Sequence, residues 1–132
     1  MSLKKLFPFA LLIGLMPANL IAQEQAAVEV EIVIALGVED RQPVDAGTSF
    51  PEDVGQVTAW TRVTGLANTT VEHVWRYREH ERVIAVNVGG SPWRTWTTKN
   101  IPPEWDGEWT LEVRTEGGEV VASTTFTVGG NN

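Results

Sequence analysis

Short segments in which apolar and polar residues alternate are the feature that most limits what this chain can fold into. Seven of them lie between Val28 and Val128, and none follows the period of an amphipathic helix. A period of two is typical of strands with one buried face, and Gly- and Pro-rich turns separate these segments. The sequence therefore predicts an all-β fold, an immunoglobulin-like β-sandwich of about seven antiparallel strands. The predicted strands are 28–34, 57–63, 71–78, 83–88, 93–99, 109–114 and 120–128.

The segment from Gly107 to Leu111 narrows the choice among all-β folds. Gly107, Trp109 and Leu111 stand at every second position. The glycine, the aromatic and the core residue have this spacing at the corner that opens the sixth immunoglobulin strand. Gly117 and Gly118 then form a two-residue hairpin signal, because glycine accepts the positive φ values that such turns need. Together they predict the closing hairpin of a sandwich.

The first 22 residues have the three parts of a secretory signal peptide. Lys4 and Lys5 form a basic start, an apolar run ends at Met16, and Ala22 offers a small residue for cleavage. The apolar run is shorter than the ~20 residues that cross a bilayer, so an uncleaved anchor is the weaker alternative. We expect residues 1–22 to be a signal peptide, residues 23–132 to form one domain, and the protein to be periplasmic or otherwise exported.

Charge and composition exclude several classes of function. Seventeen acidic residues against ten Lys and Arg give a net charge of −7, and both nucleic acids and anionic membranes repel such a chain. There is no cysteine, which excludes disulfides, thiolate catalysis and cysteine-ligated zinc. The two histidines, His73 and His80, do not have the spacing of a zinc site. We expect no nucleic-acid partner, no stable membrane insertion after cleavage, and no metal or other cofactor.

Four segments carry a resemblance to a known family. They are GTSFPEDVGQVTAWTRV (47–63), TTVEHVWRYR (69–78), SPWRTWTTKNIPPEWDGEW (91–109) and GEVVASTTFTV (118–128). In these segments the chain resembles a bacterial family described as domain of unknown function 2914. The resemblance implies a small extracytoplasmic β domain, which is sometimes appended to larger envelope proteins. It implies no activity, ligand or catalytic residue.

Six tryptophans are unusual in so short a chain. Trp75 and Trp109 share their strand faces with other apolar residues, so we expect both in the core. Trp93 and Trp96 stand three apart on one predicted strand, so they point to opposite faces. Trp105 lies in a turn and is hard to bury completely. Exposed tryptophans can stack on sugar rings or anchor an interface, and the alternative is that they cap the ends of the core.

Basic residues on the predicted outer faces suggest a contact surface. Arg62, Arg76, Arg78 and Arg94 occupy positions that alternate away from the core, and Arg94 shares a face with Trp96. Such a patch on an acidic protein would select an anionic partner, such as a carboxylate-bearing glycan or an acidic loop. The alternative is a solvated face with cross-strand pairs to Glu72, Glu79 and Glu112. The predicted binding residues are Arg76, Arg78, Arg94, Trp96, Lys99 and Trp105.

His73 is the most chemically suggestive single residue. It shares a face with Trp75, so we expect it to be partly buried and bonded to a loop carbonyl or to Asp45 or Asp53. The alternative is that His73 acts as a general base together with a carboxylate of the 104–108 turn. In that turn Glu104, Asp106 and Glu108 lie close to Trp105 in the sequence. That turn also suits calcium or paired-carboxylate chemistry, but an ordinary acidic turn explains it as well.

These patterns lead to one main prediction of function. We expect a monomeric, non-enzymatic binding or interaction module of the bacterial envelope, with no predicted catalytic residue and no identified ligand. Its partner would be an envelope protein or a glycan, anionic if the basic residues form the contact. One alternative is a small hydrolase or carbohydrate-processing accessory that uses His73 with a carboxylate of the 104–108 turn. Another is a structural spacer domain.

Overall fold

The structure, a computed structural model, describes residues 28–129, and the predicted signal peptide lies outside them. A three-stranded sheet has the order β1-β5-β8, a five-stranded sheet has the order β4-β10-β9-β6-β7, and β2 pairs with β3 in a separate hairpin. All pairings are antiparallel except that of β4 with β10. The strands are β1 (Glu29–Ala35), β2 (Gly37–Glu39), β3 (Gln42–Val44), β4 (Ser49–Phe50), β5 (Gln56–Thr64), β6 (Thr69–Tyr77), β7 (His80–Val88), β8 (Trp93–Asn100), β9 (Gly107–Thr115) and β10 (Val120–Val128).

The all-β sandwich is confirmed, and each of the seven predicted segments corresponds to one long strand. The other three strands, β2, β3 and β4, lie in the stretch 37–55 that we predicted to be a connection. They are only two or three residues long, too short to show an alternating pattern. Within residues 28–129 no helix is long and apolar enough to span a membrane.

The core lies between the two sheets and is rich in aromatic rings. Trp75 and Trp109 are each 1% exposed, as expected, and the rings of Trp75 and Phe126 form an edge-to-face pair with 6.2 Å between centroids. Phe126 also stacks on Trp109 at 6.0 Å. Edge-to-face and stacked rings add to the stabilisation that area burial alone gives. The aliphatic part of the core includes Val57, Val63, Val71, Val88, Leu111, Val113 and Val128.

The predicted corner at the start of β9 is present. The Trp109 Nε1–H donates to the carbonyl of Trp105 at 3.1 Å, four residues upstream. Gly107 has a φ of +114°, which a residue with a side chain rarely adopts. The Tyr77 hydroxyl on β6 donates to the carbonyl of Asp106 at 2.7 Å. The buried side chains of Trp109 and Tyr77 therefore hold the backbone of the 102–106 turn, and this fixes the position of Trp105.

The β2–β3 hairpin lies on the outer face of the three-stranded sheet. Its turn residues Asp40 and Arg41 have φ values of 52° and 65°, as a two-residue hairpin turn requires. The Trp60 Nε1–H, from β5, donates to the carbonyl of Arg41 at 3.0 Å. Trp60 is only 3% exposed although its strand position faces away from the core. The hairpin thus holds Trp60 through the Arg41 carbonyl.

Candidate functional site

An open seam of the sandwich separates β7 from β8. Each is the edge strand of its sheet, and no ladder joins them. A cleft of about 180 Å³ lies there, and a more polar cleft of about 360 Å³ adjoins it, since both are lined by Arg82 and Lys99. The remaining lining residues of the first cleft are Trp75, His80, Glu81, Trp105 and Trp109. We call this place the β7/β8 seam.

Stacked aromatic rings form one wall of the β7/β8 seam. The Trp105 ring lies 4.2 Å from the His80 ring and 5.2 Å from the Tyr77 ring, with interplanar angles of 25° and 11°. Tyr77 in turn lies 4.9 Å from Trp109 in the core. Because the stack continues into the core and the corner holds the turn, the partly buried Trp105 ring is a rigid, flat surface.

Two cations, Lys99 and Arg82, also line the seam. The Lys99 Nζ lies 5.5 Å from the centre of the Trp105 ring and 5.6 Å from that of Trp109, and it donates to the carbonyl of Asn100 at 3.0 Å. Burial lowers the pKa of Lys99, and the nearby positive charge of Arg82 lowers it further. The ammonium is therefore held where its own charge is disfavoured.

No carboxylate neutralises these two cations within the part of the chain that the structure describes. The ion pairs there join Arg76 and Arg114 to Glu81 and Glu112. Glu81 does border the seam, but its two oxygens lie 3.4 Å from the Arg76 Nη1 and 3.3 Å from the Arg114 Nη2. Its charge is thus already engaged on the other side of the sheet.

The seam combines a flat aromatic surface with an unpaired ammonium and a guanidinium. An aromatic face stacks on the apolar face of a ring, and cations provide charge-assisted hydrogen bonds to an anion. The arrangement suits binding of a small anionic ligand that contains a ring. Residues 28–129 contain no group of three or more His, Asp or Glu placed to hold a metal ion.

Of the six predicted binding residues, the structure brings only Lys99 and Trp105 together in this seam. Arg76 lies on the outer face of the five-stranded sheet and pairs with Glu81 and Glu112. The pair with Glu112 is one that the alternative interpretation, a solvated face with cross-strand ion pairs, predicted. We expected Arg78 on a strand, and this was wrong. Arg78 has a φ of 55° in the β6–β7 turn and lies over the Tyr77 ring at 5.1 Å.

The interpretation of Arg76 and Arg94 as parts of one contact patch was also wrong. Arg76 belongs to β6 in the five-stranded sheet, whereas Arg94 and Trp96 belong to β8 in the three-stranded sheet. The outer faces of the two sheets of a sandwich point in opposite directions. Trp96 is 37% exposed, and Trp93 is partly buried on the other face of β8, as the period of two predicts. The single basic and aromatic patch therefore divides into separate places.

Sequence reasoning missed His80 and Arg82. We predicted that the fourth strand begins at residue 83, but the turn consists of residues 78 and 79 and β7 begins at His80. His80 pairs with Tyr77 and Arg82 pairs with Trp75, so both point to the face that carries these rings. The alternation of residues from His80 to Val88 could have shown that His80 and Arg82 point to that face. Using it required knowing that the preceding turn ends at residue 79.

His73 is structural rather than accessible. It is 0% exposed, and burial lowers its pKa from 6.5 to about 4. Its Nε2 lies 3.2 Å from the Thr61 hydroxyl, and its Nδ1 lies 2.8 Å from the Thr97 hydroxyl. The expected partners, a loop carbonyl or Asp45 or Asp53, were wrong. No carboxylate of the described chain is bonded to the ring, so the hydrolase alternative lacks its base-and-acid pair.

One tautomer of His73 satisfies the whole buried network. The Thr61 hydroxyl donates to the carbonyl of Thr95, so its oxygen accepts the proton on Nε2 of His73. The Trp75 Nε1–H donates to the Thr97 oxygen, and the Thr97 hydroxyl donates to the bare Nδ1. With a neutral imidazole, both ring nitrogens and both threonine hydroxyl groups have a hydrogen-bond partner. This network joins β6 of one sheet to β5 and β8 of the other.

Comparisons with known proteins match part of the sequence to a family but reveal no activity. The model of the family described as "Protein of unknown function (DUF2914)" matches residues 68–128, which confirms the resemblance over three of the four segments. The first segment, 47–63, lies outside the match. No curated protein matches the sequence.

The solved structures that match the chain include three much longer β-glucosidases. A β-glucosidase from Listeria innocua in complex with glucose has 10% identity and a TM-score of 0.39, over 79% of this chain and 16% of the enzyme. A β-glucosidase from Kluyveromyces marxianus has 10% identity and a TM-score of 0.37, over 78% of this chain and 14% of the enzyme. A β-glucosidase from Bifidobacterium adolescentis has 16% identity and a TM-score of 0.31, over 77% and 17%. The chain thus spans less than a fifth of each enzyme.

Proposed function

We propose that this protein, whose residues 68–128 belong to the DUF2914 family, is a non-enzymatic binding module of the bacterial envelope. Its ligand is an acidic sugar unit, bound in the β7/β8 seam. The observation that carries the proposal is the placement of Lys99 beside two tryptophan rings, with Arg82 near it and no carboxylate of residues 28–129 paired to either. Export is the expectation set by the predicted signal peptide at residues 1–22.

The chemistry of the seam supports an anion that carries a ring. Lys99 is disfavoured in its charged form by burial and by Arg82, so an arriving carboxylate relieves both effects at once. The Trp105 ring, held by His80 and Tyr77, lines the cleft, and an indole ring packs well against the C–H face of a sugar ring. Ligand sites for drug-sized molecules have volumes of about 300–1,000 Å³, so the aromatic cleft of about 180 Å³ suits one sugar ring rather than a larger molecule.

The protein's net charge of −7 favours selectivity among anionic ligands rather than high affinity for them. A local positive site on an acidic body repels most anionic surfaces and admits a small anion that reaches Lys99 and Arg82. A single ring contact and one or two charge-assisted hydrogen bonds predict a modest affinity, which repetition of sugar units would increase.

Calorimetric titration with oligogalacturonate, a chain of carboxylate-bearing sugars, tests the proposal against a neutral maltooligosaccharide. Lys99→Met keeps most of the side-chain volume and removes the charge, and we expect it to weaken binding about tenfold or more, because hydrogen bonds to charged groups contribute about 1.5–3 kcal/mol. Arg76→Met is the matched control, since it removes one positive charge from the outer face of the five-stranded sheet. Equal binding of the neutral sugar, or equal losses in both variants, would contradict the proposal.

The non-enzymatic part of the proposal has its own test. Prolonged incubation of the protein with the bound oligosaccharide should leave its chain length unchanged. Release of new reducing ends, dependent on an acid of the 104–108 turn, would instead favour a carbohydrate-processing role. A protein that binds neither acidic nor neutral sugars would favour the spacer alternative.

A further inference from the structure

Three arginines from three elements line a separate cleft beside the start of β8. Arg41 comes from the β2–β3 turn, Arg62 from β5 and Arg94 from β8, and with Pro92 and Trp93 they line a volume of about 410 Å³. Arg62 and Arg94 are direct cross-strand partners. Like charges placed opposite each other in a sheet repel, so this pair does not stabilise the fold by itself.

The three guanidinium groups have no carboxylate partner among residues 28–129. Glu31 is the cross-strand neighbour of Arg62 on β1, and Asp40 precedes Arg41 in the chain. Neither carboxylate comes within 4.0 Å of a basic nitrogen. The sequence has 17 acidic residues against ten Lys and Arg, so three arginines in one cleft concentrate positive charge on an otherwise acidic molecule.

The cleft is also held rigid. Arg41 adopts a left-handed φ of 65°, and its carbonyl is fixed by the buried Trp60 Nε1–H at 3.0 Å. Its guanidinium lies 5.8 Å from the centre of the Trp93 ring. The Trp93 ring in turn packs so closely on Gly89 that an added Cβ there would meet it at 3.0 Å. Residues held in such conformations cluster at ligand sites, where the surrounding structure maintains them.

We propose that this cleft binds the phosphate group of a phosphorylated ligand. Guanidinium groups present paired N–H donors that match the oxygens of a phosphate, and their charge persists at every physiological pH. A carboxylate has two oxygens and one charge, which suits one guanidinium. A phosphate monoester has three free oxygens and up to two charges, which suits three. The phosphate group that binds in this cleft belongs either to the headgroup of an envelope lipid or to a soluble phosphate ester.

This site is distinct from the β7/β8 seam. Arg94 and Lys99 lie five positions apart on β8, so their side chains leave the strand on opposite faces. Lys99 points toward the core rings Trp105 and Trp109, whereas Arg94 points outward beside Arg62. The inference therefore goes beyond the proposed function, and either can fail without the other.

Thermal unfolding with inorganic phosphate and pyrophosphate tests the phosphate site. A ligand that binds only the folded state raises the melting temperature. We expect both anions to raise that of the unaltered protein, and succinate at equal ionic strength to leave it unchanged. In the double variant Arg62→Gln with Arg94→Gln the phosphate-induced shift should disappear, and calorimetry should show an affinity loss of at least about tenfold. The double variant Arg76→Gln with Arg78→Gln removes the same charge elsewhere and should keep the shift.

The same variants separate the sources of the phosphate. Sedimentation with phosphatidylcholine vesicles that contain phosphatidic acid, compared with phosphatidylcholine alone, detects a lipid headgroup. Binding that requires Arg62 and Arg94 assigns the lipid, and phosphate binding without vesicle binding assigns a soluble ester. The inference is overturned if phosphate produces no shift, if the shift survives in the Arg62 and Arg94 variant, or if succinate produces the same shift. Binding of oligogalacturonate should be unchanged in that variant.

Discussion

Acidification should weaken the fold through a single buried group, His73. The ring is neutral between Thr61 and Thr97, and burial lowers its pKa from 6.5 to about 4. In the unfolded chain the ring binds its proton at the ordinary pKa. The folded state therefore binds fewer protons than the unfolded state between pH 4 and 6.5. The contribution of His73 to stability is complete above that window and is lost as the pH falls through it.

The magnitude follows from the width of the window. Each pH unit is worth about 1.4 kcal/mol, so a pKa lowered from 6.5 to about 4 corresponds to about 3 kcal/mol. Small domains have free energies of unfolding of about 5–15 kcal/mol, so the loss is a substantial part of the total. A protonated ring also cannot accept from the Thr97 hydroxyl, which leaves that hydroxyl without its partner.

Urea unfolding followed by tryptophan fluorescence, at a series of pH values from 7 to 4, measures the effect. His73→Gln keeps a donor and an acceptor but does not titrate, and His80→Gln is the matched control because it removes the exposed histidine instead. We expect the free energy of unfolding of the unaltered protein and of His80→Gln to fall by about 3 kcal/mol more than that of His73→Gln. Parallel pH profiles for all three proteins would refute the reasoning.

Further predictions concern the core, the hairpin, the surface and the leader. Trp109→Ala should lower the free energy of unfolding by about 3–5 kcal/mol, and a change below about 1 kcal/mol in urea would contradict its burial. Trp60→Phe removes the bond to the Arg41 carbonyl, so amide hydrogens of the β2–β3 hairpin should exchange faster while those of β6 do not. Arg76→Ala should change stability by no more than about 0.5 kcal/mol in the same urea assay, since exposed ion pairs contribute little. Mass spectrometry of protein from the envelope should find an amino terminus near Gln23, and an intact Met1 in the cytosol would contradict export.

Alternation along the chain predicted the strands because one face of each is buried. In β6, Val71, His73, Trp75 and Tyr77 are all buried and lie on one face, as the period of two requires. The corner at Trp109 was likewise predicted from the spacing of a glycine, an aromatic and a leucine. Such patterns are local, and local patterns suffice for the approximate positions of the seven long strands and for their inward faces.

Alternation along the chain does not show which sheet a strand joins. The position of the candidate site depends on this assignment of strands to sheets. Arg76 and Arg94 have the same outward position in their strands, but long-range pairing puts the strands in opposite sheets. The partners of His73 come from β5 and β8, 12 and 24 residues away along the chain. The three-arginine cleft also needs the β2–β3 hairpin, whose strands are too short to show a pattern.

The charge of Lys99 offers the most direct test of binding in the β7/β8 seam. Lys99 is the only lysine after residue 5, so the protein without residues 1–22 gives one side-chain signal when labelled with ¹³C-lysine. Titration by NMR should show a pKa below the ordinary lysine value in the free protein, and a rise in that pKa when oligogalacturonate is added. An ordinary pKa in the free protein, or a pKa that the acidic sugar leaves unchanged, would contradict the account.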